Sequence, residues 1–194
     1  MNLILASQSP RRKQLLEQAE VPFVIRTAHS DEDFPADMPA GDVPLFIARN
    51  KARAVADTLD AGERAASVII AADTVVVLDN QIIGKPKDEA DAIAILQRLS
   101  GRMHRVITGV SILAQDKTID LKTVTEVYFH PVSLEKITHY VRKYQPMDKA
   151  GAYAIQEWIG LTAIEKINGD FYNVMGLPVS EVVAVLEREG WKPL

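Results

Sequence analysis

The chain has 194 residues, of which 26 are acidic and 22 are basic, for a net charge of −4; 47% are hydrophobic and none is cysteine. This composition indicates one or two folded domains and excludes collagen, disulfide scaffolds and disordered tails. The lack of cysteine also excludes iron–sulfur clusters, zinc fingers and thiol nucleophiles, and the mild negative charge argues against electrostatic capture of nucleic acid or of an anionic membrane.

Strand and helix patterns alternate along the chain from its first residues. A short apolar strand at 3–6 leads into a helix that Ser9 caps and Pro10 begins. Further strands are predicted at 23–28, 68–72 with 75–78, 82–83, 106–113, 119–129 and 161–167. Further helices are predicted from 44 to 59, from 88 to 99, from 133 to 145 and from 179 to 189. The turns at Asp79–Asn80 and Gln115–Lys117 predict hairpins, and the polar segment 29–42 predicts a loop.

This mixture of βα units and hairpins predicts an α/β fold, with a mixed, twisted sheet flanked by helices. We expect a single domain over 1–194 with two lobes. No apolar run approaches the roughly 18 residues that a membrane span needs. The first residues also lack the basic lead-in of a secretory signal, so we expect a cytoplasmic protein with no membrane partner.

Several familiar catalytic motifs do not occur in the sequence. It has no G-x-x-x-x-G-K-[ST] phosphate loop, no G-x-G-x-x-G fingerprint, no G-x-S-x-G elbow and no H-E-x-x-H. The four histidines are scattered without ligand spacing and are interpreted as ordinary surface or core residues. Zinc hydrolases and serine esterases are therefore disfavoured.

Two arginines stand where the local electrostatics are unfavourable. Arg11 and Arg12 lie in the first turn of the predicted helix, where the dipole is positive and each cation costs about 0.3–1 kcal/mol. A bound anion would reverse that sign, because Ser7, exposed backbone amides and two guanidinium groups would surround it. The alternative is a pair of solvated surface arginines.

Asp73 interrupts the apolar run 68–78 of a predicted central strand. A carboxylate there must be paired, bound to a metal or exposed at a cleft. As a functional residue it would ligate Mg²⁺ or accept a proton from an attacking water. As a structural residue it would cap a strand end or pair with a buried lysine, and the residues alone leave both readings open.

Other charged positions are weaker signals. The acidic triplet 31–33 would add oxygens to a cation site or form a solvated turn. Lys51 lies about 80° from the centre of its helix's apolar stripe, so it either flanks a groove or faces water. Lys85 and Lys149 stand beside glycine or proline in predicted turns, which restrict the positions of their ammonium groups.

Eight short motifs span nearly the whole chain. They are LASQSPRR (5–12), SDE (30–32), ARNKA (48–52), AADTVV (71–76), GKP (84–86), SGRMHRVITGV (100–110), DKAGAYAIQ (148–156) and NVMGLP (173–178). In this order they resemble the Maf family of nucleoside triphosphate pyrophosphatases. Each motif alone is weak, but eight in the same order are highly specific. The motif DKAGAYAIQ resembles the branch acting on dTTP and UTP rather than the branch that prefers methylated guanosine triphosphate.

The resemblance implies hydrolysis of a nucleoside triphosphate to the monophosphate and pyrophosphate. It also implies a divalent cation (Mg²⁺ or Mn²⁺), a central cleft between the two lobes, and a homodimer. The family's catalytic aspartate falls on Asp73, and Glu32 joins it as a metal contact. The remaining positions are Arg11, Thr74 and Gln156 for the base, and Ser7, Arg12, Lys51, Lys85, Asp148 and Lys149 for phosphate and metal.

The base-selecting position carries a chemical argument of its own. Gln156 offers a donor and an acceptor, which match the N3–H and carbonyl edge that uracil and thymine share. Cytosine would leave a polar group unpaired. The sequence departs from the family after this residue, where Glu157–Trp158 replaces an expected small residue.

Two other classes of function stay open. One is a house-cleaning pyrophosphatase for deaminated purine nucleotides such as ITP, which would need a larger base pocket. The other is a non-catalytic nucleotide-binding regulator of cell division, which the acidic net charge makes less attractive as a nucleic-acid binder.

Overall fold

The computed structural model describes residues 1–115 and 117–191. Its strands are β1 (Asn2–Leu5), β2 (Val24–Ile25), β3 (Ser67–Leu78), β4 (Gln81–Ile83), β5 (Met103–Ala114), β6 (Lys117–Phe129) and β7 (Ile164–Asn168). Its helices are α1 (Pro10–Gln18), α2 (Val43–Ala56), α3 (Ala61–Ala65), α4 (Glu89–Leu99), α5 (Leu134–Tyr144), α6 (Trp158–Ala163), α7 (Phe171–Met175) and α8 (Val179–Arg188). A 3₁₀ turn covers Ala150–Ala152.

The described strands form one mixed sheet, which confirms the predicted α/β class. Their order is β2-β1-β3-β5-β6-β7, and β4 pairs with β3 outside this path. Strand β1 pairs in parallel with β2 and β3, whereas β4 and β7 pair antiparallel with β3 and β6. The β3–β4 turn has Asp79 at φ 49° and Asn80 at φ 63°, the left-handed pair that a two-residue hairpin requires.

The chain divides into two compact units. Unit 1 contains Met1–Asp73, Thr108–Thr123 and the described residues from Gly176 onward, and unit 2 contains Thr74–Ile107 and Val124–Met175. The core of unit 1 joins β1, α2 and β3 through Ile4, Ala52, Val55, Ile69 and Ala71. The core of unit 2 includes Leu78, Leu96, Phe129, Tyr140 and Ile159.

Strand β3 and helix α2 place the charged residues of unit 1. Ten of the twelve β3 residues are buried, and the half-buried pair is Asp73 and Thr74. Helix α2 lies close to β5, because a Cβ atom on Gly109 would be 2.2 Å from the Leu45 nitrogen. Only glycine permits that approach, so this contact sets the distance between β5 and the helix that carries Lys51.

The strand predicted at 161–167 is wrong over its first half, since 161–163 belong to α6. Ile159 and Ala163 are buried four residues apart, whereas Leu161 is 84% exposed, so burial follows helical spacing. The strand predicted at 23–28 is reduced to the two exposed residues of β2. Helices α3 and α7 were not predicted, because five residues are too few to show a helical period in the sequence.

The turn predicted at Gln115–Lys117 includes Asp116, which lies outside the described residues; β5 ends at Ala114 and β6 begins at Lys117. Within 1–115 and 117–191, no helix has the length and apolar character that crossing a membrane requires.

Candidate active site

Asp73 lies in the middle of β3 and is paired with a lysine of α2. The Lys51 ammonium donates a hydrogen bond to Asp73 Oδ1 at 2.9 Å. Only 17% of the Asp73 side chain and 19% of the Lys51 side chain are exposed. The carboxylate in the apolar strand is therefore compensated by a cation from a helix 22 residues away in sequence.

The same ammonium contacts a second predicted site residue. Lys51 Nζ lies 2.7 Å from Glu32 Oε1, and 62% of the Glu32 side chain is exposed. One lysine thus lies between a carboxylate on a strand and a carboxylate on the loop after β2. Both carboxylates are those for which the sequence predicts a metal contact.

Helix α1 begins as its capping residues predict. Ser9 is the N-cap and accepts a hydrogen bond from the Arg12 backbone N–H at 3.5 Å, and Pro10 occupies the first turn. The Arg12 guanidinium donates to Ser7 Oγ at 3.2 Å and to the Gly176 carbonyl at 2.8 Å. Arg12 is 9% exposed, so it is a buried cation and not a solvated surface residue.

The Arg12 guanidinium belongs to the same electrostatic group as the two carboxylates, by which we mean that their charges interact. The pKa of Arg12 lies below its ordinary value, chiefly because the side chain is buried. The charges of Asp73 and Glu32 raise this pKa, and the charge of Arg11 lowers it. The half-buried Arg11 lies beside it in the first turn. Unit 1 therefore gathers three cations and two carboxylates near the N-terminus of α1, where an anion would be stabilised.

The carboxylates of unit 1 suit a divalent cation whose coordination shell is completed by the substrate. No group of three or more His, Asp or Glu side chains that could hold a metal ion occurs in the described part of the chain. Mg²⁺ commonly takes one or two protein carboxylates and completes its shell with water and substrate phosphates. Asp73 and Glu32, which already meet at one ammonium, fit that smaller donor set.

Unit 2 brings two of its predicted segments together. The Gly151 N–H donates to the Gly84 carbonyl at 3.1 Å, which joins the segment of Lys149 to that of the exposed Lys85. Gly151 has φ 72°, and a Cβ atom there would be 2.9 Å from a Val76 methyl group. Thr74 shares that face of β3, since alternate residues of a strand point to one side.

Lys149 is a buried cation with two acidic neighbours. Its side chain is 11% exposed and lies 2.7 Å from Asp148 Oδ1 and 3.5 Å from Glu157 Oε1. Gln156 is exposed at the end of the same segment. Glu157, which the sequence marked only as a departure from the family, is thus a direct partner of a predicted site residue.

His104 and Tyr153 form a buried pair in unit 2. His104 is 1% exposed, as expected for a core residue, and its Nε2 lies 2.7 Å from the Tyr153 hydroxyl. Burial lowers the pKa of His104 to about 4, so the imidazole is neutral at physiological pH. Both rings contact Phe129 edge to face, and together the three rings hold the Tyr153 segment against β5 and β6.

A mixed α/β sheet with a buried arginine at a helix N-terminus, beside a lysine and two carboxylates, is typical of proteins that bind phosphorylated ligands. Comparison with known proteins narrows this class. Residues 2–189 match the model of one family, described as Maf-like protein. The chain belongs to the Maf-like family.

Relatives cover nearly the whole chain. A dTTP/UTP pyrophosphatase of Cytophaga hutchinsonii is 47% identical over 188 residues, which are 96% of this chain and 84% of the relative. A dTTP/UTP pyrophosphatase of Bacteroides thetaiotaomicron is 43% identical over 187 residues, 96% of this chain and 95% of the relative. One from Porphyromonas gingivalis is 45% identical over 179 residues, 91% of this chain and 88% of the relative.

Proposed function

We propose that this chain hydrolyses dTTP and UTP to the nucleoside monophosphate and inorganic diphosphate (pyrophosphate). The observation that carries the proposal is the Lys51 ammonium between Asp73 and Glu32, in the same electrostatic group as the buried Arg12. Relatives that are 43% to 47% identical over 96% of the chain carry the name dTTP/UTP pyrophosphatase, which supports this substrate class.

In this proposal Asp73 orients the attacking water and accepts its proton. Its carboxylate is held in one direction by the hydrogen bond from Lys51 and by a strand that is buried on both sides. A fixed acceptor is valuable because phosphoryl transfer depends mainly on positioning and on charge neutralisation.

The cations of unit 1 neutralise the phosphate chain. Arg12 and Ser7 form a preassembled donor pair at the N-terminus of α1. Asp73 and Glu32 would hold a divalent cation, Mg²⁺ or Mn²⁺, which supplies charge neutralisation at the phosphate oxygens when it is bound. Lys51 would then share its charge between the carboxylates and the substrate.

The resemblance to the family supplies the remaining contacts of this proposal. Lys85 and Lys149 bind phosphate oxygens, and Arg11, Thr74 and Gln156 select the base. The Gln156 amide pairs with the N3–H and a carbonyl of uracil or thymine, whereas cytosine presents the reverse pattern. We also propose a homodimer, which rests on the resemblance to the family, and a location in the cytoplasm.

The proposal is tested by measuring diphosphate release from a panel of nucleoside triphosphates with Mg²⁺ or Mn²⁺. We expect metal-dependent release from dTTP and UTP, loss of release in Asp73→Asn, and nucleotide binding largely retained in that variant. Asp57→Asn, an exposed aspartate at the end of α2, is the matched control and should keep full activity.

Three outcomes would overturn the proposal. A protein that binds nucleotide but releases no diphosphate from any member of the panel would favour the non-catalytic regulator. Preference for ITP over dTTP and UTP would favour the purine pyrophosphatase. Normal turnover in Asp73→Asn would exclude Asp73 as the residue that activates water.

A further inference from the structure

Gln156 lies in a tight turn that joins the Tyr153 segment to α6. The Glu157 N–H donates to the Ala154 carbonyl at 3.1 Å and closes the turn over Ile155 and Gln156. Ile155 is 5% exposed, whereas Gln156 is exposed. The turn therefore anchors one of its two central side chains in the core and presents the other to solvent.

The first turn of α6 fixes this turn from the other side. The Gly160 N–H donates to the Glu157 carbonyl at 2.9 Å. A Cβ atom on Gly160 would lie 1.7 Å from the Ile155 carbonyl oxygen, so no other residue fits without moving the backbone. The backbone at Ile155 is thus packed directly against the helix.

One buried hydroxyl holds both ends of the turn. Tyr140 on α5 is fully buried, and its oxygen accepts a hydrogen bond from the Ala154 N–H at 3.3 Å. The same hydroxyl donates to Glu157 Oε2. Burial, reinforced by Glu157, raises the pKa of Tyr140, so the hydroxyl stays protonated and keeps donating at physiological pH.

The second oxygen of Glu157 faces a different group. Glu157 Oε1 lies 3.5 Å from Lys149 Nζ, and 22% of the Glu157 side chain is exposed. One carboxylate therefore links the buried hydroxyl of Tyr140 to the ammonium of Lys149. The family-atypical residue after Gln156 is the link between a predicted base contact and a predicted phosphate contact.

We infer that Tyr140 and Glu157 are positioning residues that determine base selectivity by fixing the turn of Gln156. The inference rests on the proposed function, in which Gln156 reads the base edge. An amide that must pair a donor and an acceptor at once tolerates displacements of only about half an ångström. If the hydroxyl is removed, the turn keeps its backbone bond but loses both side-chain bonds, and the discriminating geometry is relaxed.

Tyr140→Phe is the direct test, because it removes both hydrogen bonds and preserves the ring packing. The readout is the ratio of kcat/KM for UTP to kcat/KM for CTP. We expect that ratio to fall about tenfold, which corresponds to the loss of about one hydrogen bond between the neutral amide and the neutral base. A purely structural role would lower both rates together and leave the ratio unchanged.

Tyr144→Phe is the matched control for this substitution. Tyr144 stacks on Tyr140 from the same helix, with ring centroids 5.1 Å apart, and is half-buried. Its substitution should leave the UTP:CTP ratio as in the wild type. An unchanged ratio in Tyr140→Phe, or an equal change in Tyr144→Phe, would overturn the inference.

Glu157→Ala tests the carboxylate without altering a buried ring. It should lower the same ratio and should raise KM for UTP, because Lys149 loses a partner that holds it in place. Glu165→Ala, at an exposed position of β7, is the control for the loss of one negative charge. Unchanged selectivity and KM in Glu157→Ala would contradict the assignment.

A double variant separates action through Gln156 from independent action. If Tyr140 acts by positioning Gln156, then Tyr140→Phe should change the UTP:CTP ratio no further in a Gln156→Ala background. Full additivity would overturn the inference. A wild-type protein inactive on UTP and dTTP would instead overturn the proposed function, and the inference with it. Selective wild-type activity with an unaffected ratio in Tyr140→Phe would overturn the inference alone.

Discussion

Replacement of Lys51 by methionine tests the charge arrangement in unit 1 most directly. Methionine is similar in size to the aliphatic part of the lysine side chain, but it leaves Asp73 and Glu32 without the shared ammonium. Loss of one partner costs about 3–5 kcal/mol in a fully buried pair and about 0–1 kcal/mol in an exposed pair. The Lys51 and Asp73 side chains are 19% and 17% exposed, which places the pair between these limits.

We therefore expect Lys51→Met to lower the free energy of unfolding by about 2 kcal/mol. The contact with Glu32 adds little, because 62% of that carboxylate side chain is exposed. For a chain of this length, the loss corresponds to a fall of about 4–8 °C in Tm. Thermal and urea unfolding followed by circular dichroism would measure it, with Lys13→Met as the control. Lys13 pairs with Glu17 at 3.6 Å and is 51% exposed, so its replacement should cost less than about 0.5 kcal/mol.

A double-mutant cycle assigns the loss to the right partner. In the Lys51→Met background, Asp73→Asn removes the uncompensated carboxylate, so the double variant should be about 1–2 kcal/mol more stable than the sum of the single effects. Additive effects, or a Lys51→Met protein as stable as Lys13→Met, would refute the view that the two side chains stabilise each other.

Three further predictions concern other parts of the chain. Gly109→Ala should lower the free energy of unfolding by about 3 kcal/mol or more in urea titrations, because the new methyl group would meet backbone atoms of Leu45 2.2 Å away; a loss below about 1 kcal/mol would contradict that contact. The free energy of unfolding should fall as the pH drops from about 6.5 towards 4, because the unfolded chain binds a proton at His104 and the folded chain does not. His104→Gln should remove up to about 3 kcal/mol of this pH dependence in unfolding curves. Gln156→Ala should lower kcat/KM for dTTP and UTP more than for CTP, and an equal loss for all three would argue against base reading at this position.

Local signals account for the parts of the fold that the sequence predicted well. The cap at Ser9 accepts the expected backbone hydrogen bond. The helices predicted from 88 and from 133 begin after Asp88 and Ser133, which accept bonds of the same type, because a capping side chain acts within three residues of its own position. The hairpin turn at Asp79–Asn80 is equally local. The error at 161–163 has the opposite origin, since packing against the core of unit 2 decides between helix and strand for so short an apolar segment.

The same distinction between local signals and distant contacts applies to the candidate site. Asp73 was recognisable because a carboxylate inside an apolar strand is costly at that position itself. Lys51 was not informative, since only its helical angle was known and its partner lies 22 residues away. The hydroxyl of Tyr140 gave no signal at all, and Glu157 was noticed only as an unexpected residue. Their contact joins a helix to a distant turn, and one sequence contains no measure of that proximity.

The carboxylates of Asp73 and Glu32 differ in how much conformational entropy is lost when each is held in contact with Lys51. Asp73 is carried by a strand paired on both sides, so its position was fixed when the chain folded. Glu32 is exposed and lies in the segment 26–42, which has no helix or strand. Its contact can break and re-form at small free-energy cost, because an exposed ion pair is weak. The position of Asp73 is therefore set by the fold, whereas the position of Glu32 depends on a weak contact with Lys51.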